Sequence, residues 1–342
     1  MPKIIIDTGT GYCKSGFSGD DCPRSLFRTR VGDSKNGKEP LVGDEAVIEP
    51  NILYPKKPAV ERGVPYNFKD FEILLSAIFN YDLRVNSKEY DVLFCETVLT
   101  EDKIQEKCIE LFFDEFEVQN YVAVNQGILS LFATAKITGL TVDSGFGNTS
   151  FVPVYEGNLI GNDNGVVKID KGGYDFNIEF MDMLNRKGVA KIYGSKGFEM
   201  LETIKSQSET YYELPDGSAV LEKTIDCAAD TVFKFLPDCA KSFLQEADFS
   251  SHLKESLNSS GLREEIESNI LVTGGNSLLP GFIEALDTQH CKLHDYNKNS
   301  AWVGGSILAE LSSFDNFLMS KQEYEESGST SVLKRFQSKK FQ

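Results

Sequence analysis

Two short apolar runs, each breaking into a glycine turn behind an aspartate, constrain this chain more than any other feature. Lys3 to Ile6 is a β-branched run that ends on Asp7 and opens into Thr8-Gly9-Thr10-Gly11, after which Tyr12 to Phe17 can form the returning strand. Leu140-Thr141-Val142 leads in the same way to Asp143-Ser144-Gly145-Phe146-Gly147 and then to the strand-like Thr149 to Tyr155. A third run, Ile270-Leu271-Val272, ends in Thr273-Gly274-Gly275-Asn276 and is followed by Pro280-Gly281 and a helical pattern from Phe282 to Leu286. One glycine-rich strand end is ordinary turn chemistry. Two with a matching acidic residue, joined by a third Gly-Gly turn, point to a nucleotide.

The chemistry behind that reading is direct. Glycines let backbone N–H groups approach phosphate oxygens and form an anion-binding concavity. A carboxylate at each strand end can hold the water shell of a metal ion. Lys14, seven residues after Asp7, can return along the hairpin and neutralise phosphate charge.

Between the turns lie segments with apolar residues at three- and four-residue spacing: Phe71 to Phe79, Ile104 to Phe116, Gln126 to Ala135 and Phe176 to Leu184. Strands alternating with helices predict an α/β fold with largely buried sheets. A length of 342 residues allows one or two domains. The formal net charge of -17 repels nucleic acid and anionic membrane surfaces at long range, so neither is an expected partner. Seven cysteines without a CxxC pair suggest neither a zinc site nor a disulfide framework. The start Met-Pro-Lys-Ile-Ile-Ile leaves no room for a signal peptide, no apolar stretch approaches a membrane span, and a reducing intracellular compartment is expected. Asp33 to Pro40 and Gly194 to Asp238 read as surface insertions, and Ser327 to Gln342 as a loosely held end.

The chain resembles actin and the actin-related proteins through segments spread along its length. They are Asp7-Thr-Gly-Thr-Gly-Tyr-Cys-Lys14, Gly19-Asp-Asp-Cys-Pro-Arg24, Val42-Gly-Asp-Glu-Ala46, Asp143-Ser-Gly-Phe-Gly147, Val154-Tyr-Glu-Gly157, Tyr212-Glu-Leu-Pro-Asp-Gly217, Trp302-Val-Gly-Gly-Ser-Ile-Leu-Ala309 and Lys321-Gln-Glu-Tyr-Glu-Glu-Ser-Gly328. The resemblance implies an α/β two-domain clamp of duplicated ribonuclease-H-like domains: 1–126 plus 303–342, with a small insertion at about 30–58, and 127–302, with an insertion at about 174–245. It implies ATP or ADP with Mg2+ or Ca2+. Gly9, Thr10, Gly11, Tyr12 and Lys14 would hold one side of the ligand, and Ser144, Gly145, Phe146 and Gly147 the other. Gly173, Lys205, Gly274, Gly275, Asn276, Leu278 and Lys298 would surround the adenosine. Asp7 and Asp143 would order water on the metal, and Gln126, Asp143 and Ser150 would stand at the reacting centre.

The departures matter as much. Phe146 replaces an acidic residue of the family pattern, Ser150 a histidine that helps to place the attacking water, and Ser206 a glutamate. Binding is therefore expected with slow ATP hydrolysis at most, since a water must be placed in line with the terminal phosphate. The short Asp33 to Pro40 insertion puts ordinary self-polymerisation in doubt. Phe132, Ile307, Leu308, Leu311, Phe314 and Phe317 map onto a groove in which amphipathic helices of partners dock. The implied function is a divergent cytoskeletal protein of the cytoplasm whose nucleotide state is coupled to partner binding and to self-assembly or copolymerisation with actin. The alternative is a structural subunit of a larger complex, chromatin-remodelling in the nucleus or dynactin-like, with a static nucleotide.

Overall fold

The computed structural model describes residues 2–32, 40–48, 58–160, 165–189, 197–198, 201–202, 234–286 and 291–338. Its two main sheets have six strands each. The first contains β1 (Lys3–Thr8), β2 (Tyr12–Phe17), β3 (Ser25–Arg28), β4 (Asp91–Glu96), β5 (Asn120–Asn125) and, from the far end of the chain, β12 (Met319–Ser320). The second contains β6 (Gly139–Ser144), β7 (Thr149–Tyr155), β8 (Asn158–Leu159), β9 (Val167–Ile169), β10 (Ile270–Thr273) and β11 (Cys291–Leu293).

The two sheets repeat one plan. In the first, β1 pairs antiparallel with β2 on one side and parallel with β4 on the other, and β4 continues parallel to β5. In the second, β6 pairs antiparallel with β7 and parallel with β10, and β10 continues parallel to β11. The expected hairpins thus form twice with the same hand of neighbours. The strand expected to end on Asp7 runs one residue further, to Thr8, and Asp7 is a ladder residue.

Burial explains why β1 is apolar on both faces. Ile4 and Ile6 enter a core with α1 (Phe68–Ala77), α2 (Asp102–Glu110) and the C-terminal helices, whereas Ile5 faces Leu129, Trp302 and Leu308 on the other side. In the second sheet, Leu140 and Val142 pack against α4 (Gly173–Arg186) through Phe176, Phe180 and Leu184, and against α5 (Leu236–Glu246) and α6 (Phe249–Ser259) through Phe243 and Phe249.

Two helices join the halves. Helix α3 (Gln126–Phe132) is capped by Asn125, whose side chain accepts from the Gly127 N–H at 2.8 Å. Leu129 of α3 faces the first sheet, while Ile128 and Leu131 face Val152, Val154 and Leu271 of the second. Helix α7 (Ser300–Ala309) is buried at every position except Ile307, as a helix apolar all round must be. It lies so close to α3 that a Cβ on Gly304 would stand 1.7 Å from the Leu129 carbonyl oxygen. Trp302 Nε1 donates to the Ile5 carbonyl at 3.1 Å and fixes α7 to β1.

The structure corrects two expectations. The segment read as a loose end contains α9 (Ser329–Ser338), following α8 (Lys321–Ser327). Val332 and Leu333 are buried and Phe336 is partly so, because these three share one face of α9 and meet α2 and β5. Of the groove residues, Leu308 and Phe314 belong to the core, Phe132 and Phe317 are half-buried, and Ile307 and Leu311 remain exposed. Apolar spacing alone does not tell the inner from the outer face of a helix that is apolar all round. Most of the two expected insertions, Lys205 and Ser206 included, lies outside the described residues. Among those described, no helix is long and apolar enough to cross a membrane, and Cys13, Cys22, Cys95 and Cys108 are free.

Candidate functional site

The turns that follow β1, β6 and β10 open into one cleft between the halves. Its wall contains Asp7, Gly9, Thr10, Gly11, Tyr12, Lys14, Gln126, Asp143, Gly145, Phe146, Gly147, Gly274, Gly275, Asn276, Leu278 and Lys298 of the residues expected from the sequence. Ser144, Ser150 and Gly173 are buried behind that wall, and Lys205 falls outside the described residues. Each hairpin turn is closed by its own backbone: Gly9 N–H donates to Tyr12 O at 3.0 Å, and Gly145 N–H to Asn148 O at 2.9 Å. The N–H groups of Thr10, Gly11, Phe146 and Gly147 make no hydrogen bond among the described residues. Four unused donors at facing turns are chemically suited to the oxygens of an anion.

The ladder register sets the charges. Asp7 stands opposite Lys14, and Lys14 Nζ donates to Asp7 Oδ2 at 2.7 Å. Gln126 Nε2 donates to the other oxygen, Oδ1, at 2.8 Å. Burial works against the Lys14 ammonium, but Asp7, by charge and hydrogen bond, and then Asp143 outweigh it and raise its pKa. In the second hairpin the position opposite Asp143 is Ser150, so no cation answers this carboxylate across its own ladder. Burial, and then the nearby Asp7 charge, push the Asp143 carboxyl up to about 6, with Lys14 opposing. Ser150 also stands opposite Lys168 of β9, whose amine burial holds below the usual range.

Asn276 is spent on structure. Its Nδ2 donates to the Ser144 hydroxyl at 3.1 Å and to the Gly145 carbonyl at 2.9 Å, tying the third turn to the second. Phe146 sits where the two hairpins meet: a Cβ on Gly11 would lie 2.9 Å from Phe146 Cβ, and the ring packs edge-on to Tyr174 and Phe198.

Several contacts were not legible in the sequence. Arg62, in the turn between the short strands Val60–Glu61 and Val64–Pro65, reaches across the cleft. Its guanidinium donates to the Gly147 carbonyl at 2.7 Å and pairs with both carboxylate oxygens of Asp175, at 2.5 and 3.0 Å. Asn148 Nδ2 donates back to the Arg62 carbonyl at 2.5 Å, and Gly63 N–H donates to the Thr10 hydroxyl at 2.7 Å. Glu-Arg-Gly reads locally as a surface turn, and only the tertiary fold brings it to the cleft. A positive φ of 83° makes Gly63 the residue suited to that turn.

Among the described residues no group of three or more histidines, cysteines or carboxylates is placed to cage a metal. Asp7 and Asp143, with the Gln126 amide, suit a hard cation that keeps most of its waters and shares ligand oxygens.

The fold and this cleft can be set beside known proteins. The family model for actin matches residues 1–196 and 191–337. A protein named actin-29 from Dictyostelium discoideum is 28% identical over an alignment of 379 residues that covers 97% of this chain and 96% of that protein. With the family model matching nearly end to end, and with the duplicated sheets and facing turns described above, the chain belongs to the actin family.

Proposed function

We propose that the cleft binds ATP or ADP together with a divalent cation and that the two halves, 1–126 plus 303–342 and 127–302, act as a clamp on it. Actin family proteins generally bind a nucleotide with a divalent metal. The observation that carries the proposal is the set of four unpaired N–H groups of Thr10, Gly11, Phe146 and Gly147, with Lys14 between the two carboxylates. These donors and the lysine hold the phosphates. Asp7 and Asp143 hold the water shell of Mg2+ or Ca2+, which supplies charge neutralisation at the phosphate oxygens. Gly274, Gly275, Leu278 and Lys298 line the part of the cleft assigned to adenosine.

Turnover is slow at most in this reading. Gln126 keeps its Oε1 as an acceptor for a water, while its amide nitrogen is held by Asp7. Ser150 is buried opposite Asp143 with a short hydroxyl in place of a group that reaches the cleft. The second reading, a static nucleotide in a subunit of a larger complex, is favoured by one observation: Arg62 and Phe146 already join the halves across the cleft. In either case the chain is a divergent cytoskeletal or complex-forming member of the family, in cytoplasm or nucleus. The exposed Ile307 and Leu311 beside half-buried Phe132 are what remains of the partner groove, and whether partner binding, self-assembly or copolymerisation with actin uses them belongs to the same proposal.

Titration with a fluorescent ATP analogue in Mg2+ tests the site. Lys14→Ala is expected to weaken binding by at least about tenfold, since a buried charge-assisted contact to phosphate is worth about 1.5–3 kcal/mol. Equal affinity in parent and variant would place the phosphates elsewhere.

A further inference from the structure

The turn that leads into α7 puts an unused amide in the cleft wall. Asn297 opens the 3-10 turn Asn297–Asn299 and lines the cleft beside Lys298, Ser300 and Ala301. Its backbone is held from two sides: its N–H donates to the His294 carbonyl at 3.1 Å, and Thr273 Oγ1 donates to its carbonyl at 2.6 Å. Thr273 ends β10 opposite Asp143, so the ladder that carries the second glycine turn also places Asn297.

A φ of 44° suits asparagine, one of the few side chains that tolerate left-handed backbone, and accounts for the residue type. It does not account for the amide. Asparagine in a turn ordinarily spends its side chain on nearby backbone. The Asn297 amide makes no hydrogen bond among the described residues, and its Oδ1 is buried without a partner. A buried acceptor left unpaired is costly, and native folds pair nearly all of them. Asn299 also has an unpaired Oδ1, but it is not part of the cleft wall. The neighbouring turn Gly275–Leu278, which packs against Asn297–Asn299, supplies apolar surface and room. Leu278 and Leu279 line the cleft there, and a Cβ on Gly275 would meet nothing within 4 Å.

We propose that Asn297 reads the base of the bound nucleotide and selects adenine, which rests on the cleft being a nucleotide site. An amide presents an acceptor and a donor side by side. The N6/N7 edge of adenine presents the matching donor and acceptor: Oδ1 accepts from the exocyclic amino group and Nδ2 donates to N7, the pairing by which asparagine recognises adenine in nucleic acids. The same edge of guanine carries two acceptors, O6 and N7, so it satisfies only Nδ2 and sets an oxygen against Oδ1. The χ2 torsion of asparagine is broad, and turning the amide to the ring needs no change of backbone. Leu278 and Leu279 give the ring its apolar surface.

Calorimetric titration with ATP, GTP, 7-deaza-ATP and tripolyphosphate, each with Mg2+, tests the assignment. 7-Deaza-ATP keeps the amino group and lacks N7, and tripolyphosphate has no base. The parent is expected to bind ATP at least roughly tenfold more tightly than GTP, and several-fold more tightly than 7-deaza-ATP. Asn297→Gly, which accepts the positive φ, should bring ATP down to the affinity of GTP while tripolyphosphate binds as in the parent. Asn297→Asp keeps the shape of the side chain and tolerates the same backbone, but it cannot donate to N7. It should lose the preference for ATP over 7-deaza-ATP, and it serves if Asn297→Gly does not fold. ATP and GTP bound alike by the parent, with tripolyphosphate also bound, would overturn the base reading and leave the clamp standing. A preference for ATP kept by both variants would overturn it too, by assigning the base to another group. Failure of the parent to bind either ATP or tripolyphosphate would overturn the clamp and the base reading together.

Discussion

Gly304→Ala is expected to leave no stably folded protein. The added methyl would sit 1.7 Å from the Leu129 carbonyl oxygen, with Leu129 C and Cα at 2.4 and 3.0 Å, so backbone rather than a pliable side chain opposes it. Overpacking a core costs about 1–3 kcal/mol when side chains can adjust. Here helix α7 would have to move off helix α3, and that contact carries Leu129 and Trp302 of the core between the halves. The expected cost is above about 3 kcal/mol, a large fraction of a domain's total stability. Gly275→Ala is the matched control, because its Cβ would meet nothing within 4 Å. Circular dichroism melts of the two variants should show a normal transition for Gly275→Ala and none for Gly304→Ala. Two similar melts would mean that α3 and α7 do not pass as closely as described.

Arg62→Ala is expected to loosen the cleft without unfolding the halves. Both arms of the guanidinium are used, and their loss leaves Asp175 with the Gly172 N–H, which donates to it at 2.9 Å. Breaking a fully buried pair costs about 3–5 kcal/mol, and the partial exposure of Arg62 and Asp175 brings the expectation down to about 2 kcal/mol. The Gly147 carbonyl also loses its donor across the cleft. Small-angle scattering of the nucleotide-free protein should show a larger radius of gyration in Arg62→Ala than in the parent, with a melting temperature a few degrees lower. Arg62→Lys should restore little, because an ammonium cannot make the two-pronged pair. Unchanged scattering and melting in Arg62→Ala would reduce the contact to a surface ion pair.

The hairpins were legible because their signals are local. β-Branched residues, an aspartate and a run of glycines fix strand, turn and returning strand within a dozen residues, and Tyr12–Phe17 and Thr149–Tyr155 form as read. Helical spacing located α1, α3 and α4 within a few residues, and α2 together with the π-helical turn Leu111–Glu115 that continues it, because each presents an apolar stripe to a sheet. Contacts between distant segments were beyond such reading. Arg62 lies 85 residues before Gly147 and 113 before Asp175, and nothing in Glu-Arg-Gly announces either partner. Helix α9 was hidden for the opposite reason, since Val332, Leu333 and Phe336 are few among polar neighbours and become a core face only against α2 and β5. Phe146 stood out as a departure in a glycine turn, but its packing onto Gly11 of the other hairpin appears only in the assembled fold.

The clamp itself is tested most directly by the thermal stability of the purified chain with ATP and Mg2+, with ATP and EDTA, and with neither. A ligand that binds the folded form and not the unfolded chain stabilises it by RT ln(1 + [L]/Kd), about 2.7 kcal/mol at a hundredfold excess over Kd. The account predicts a melting temperature several degrees higher with ATP and Mg2+ than without ligand, and a return most of the way to the unliganded value when EDTA removes the cation from Asp7, Asp143 and the phosphates. A melting temperature indifferent to ATP, with or without Mg2+, would contradict it.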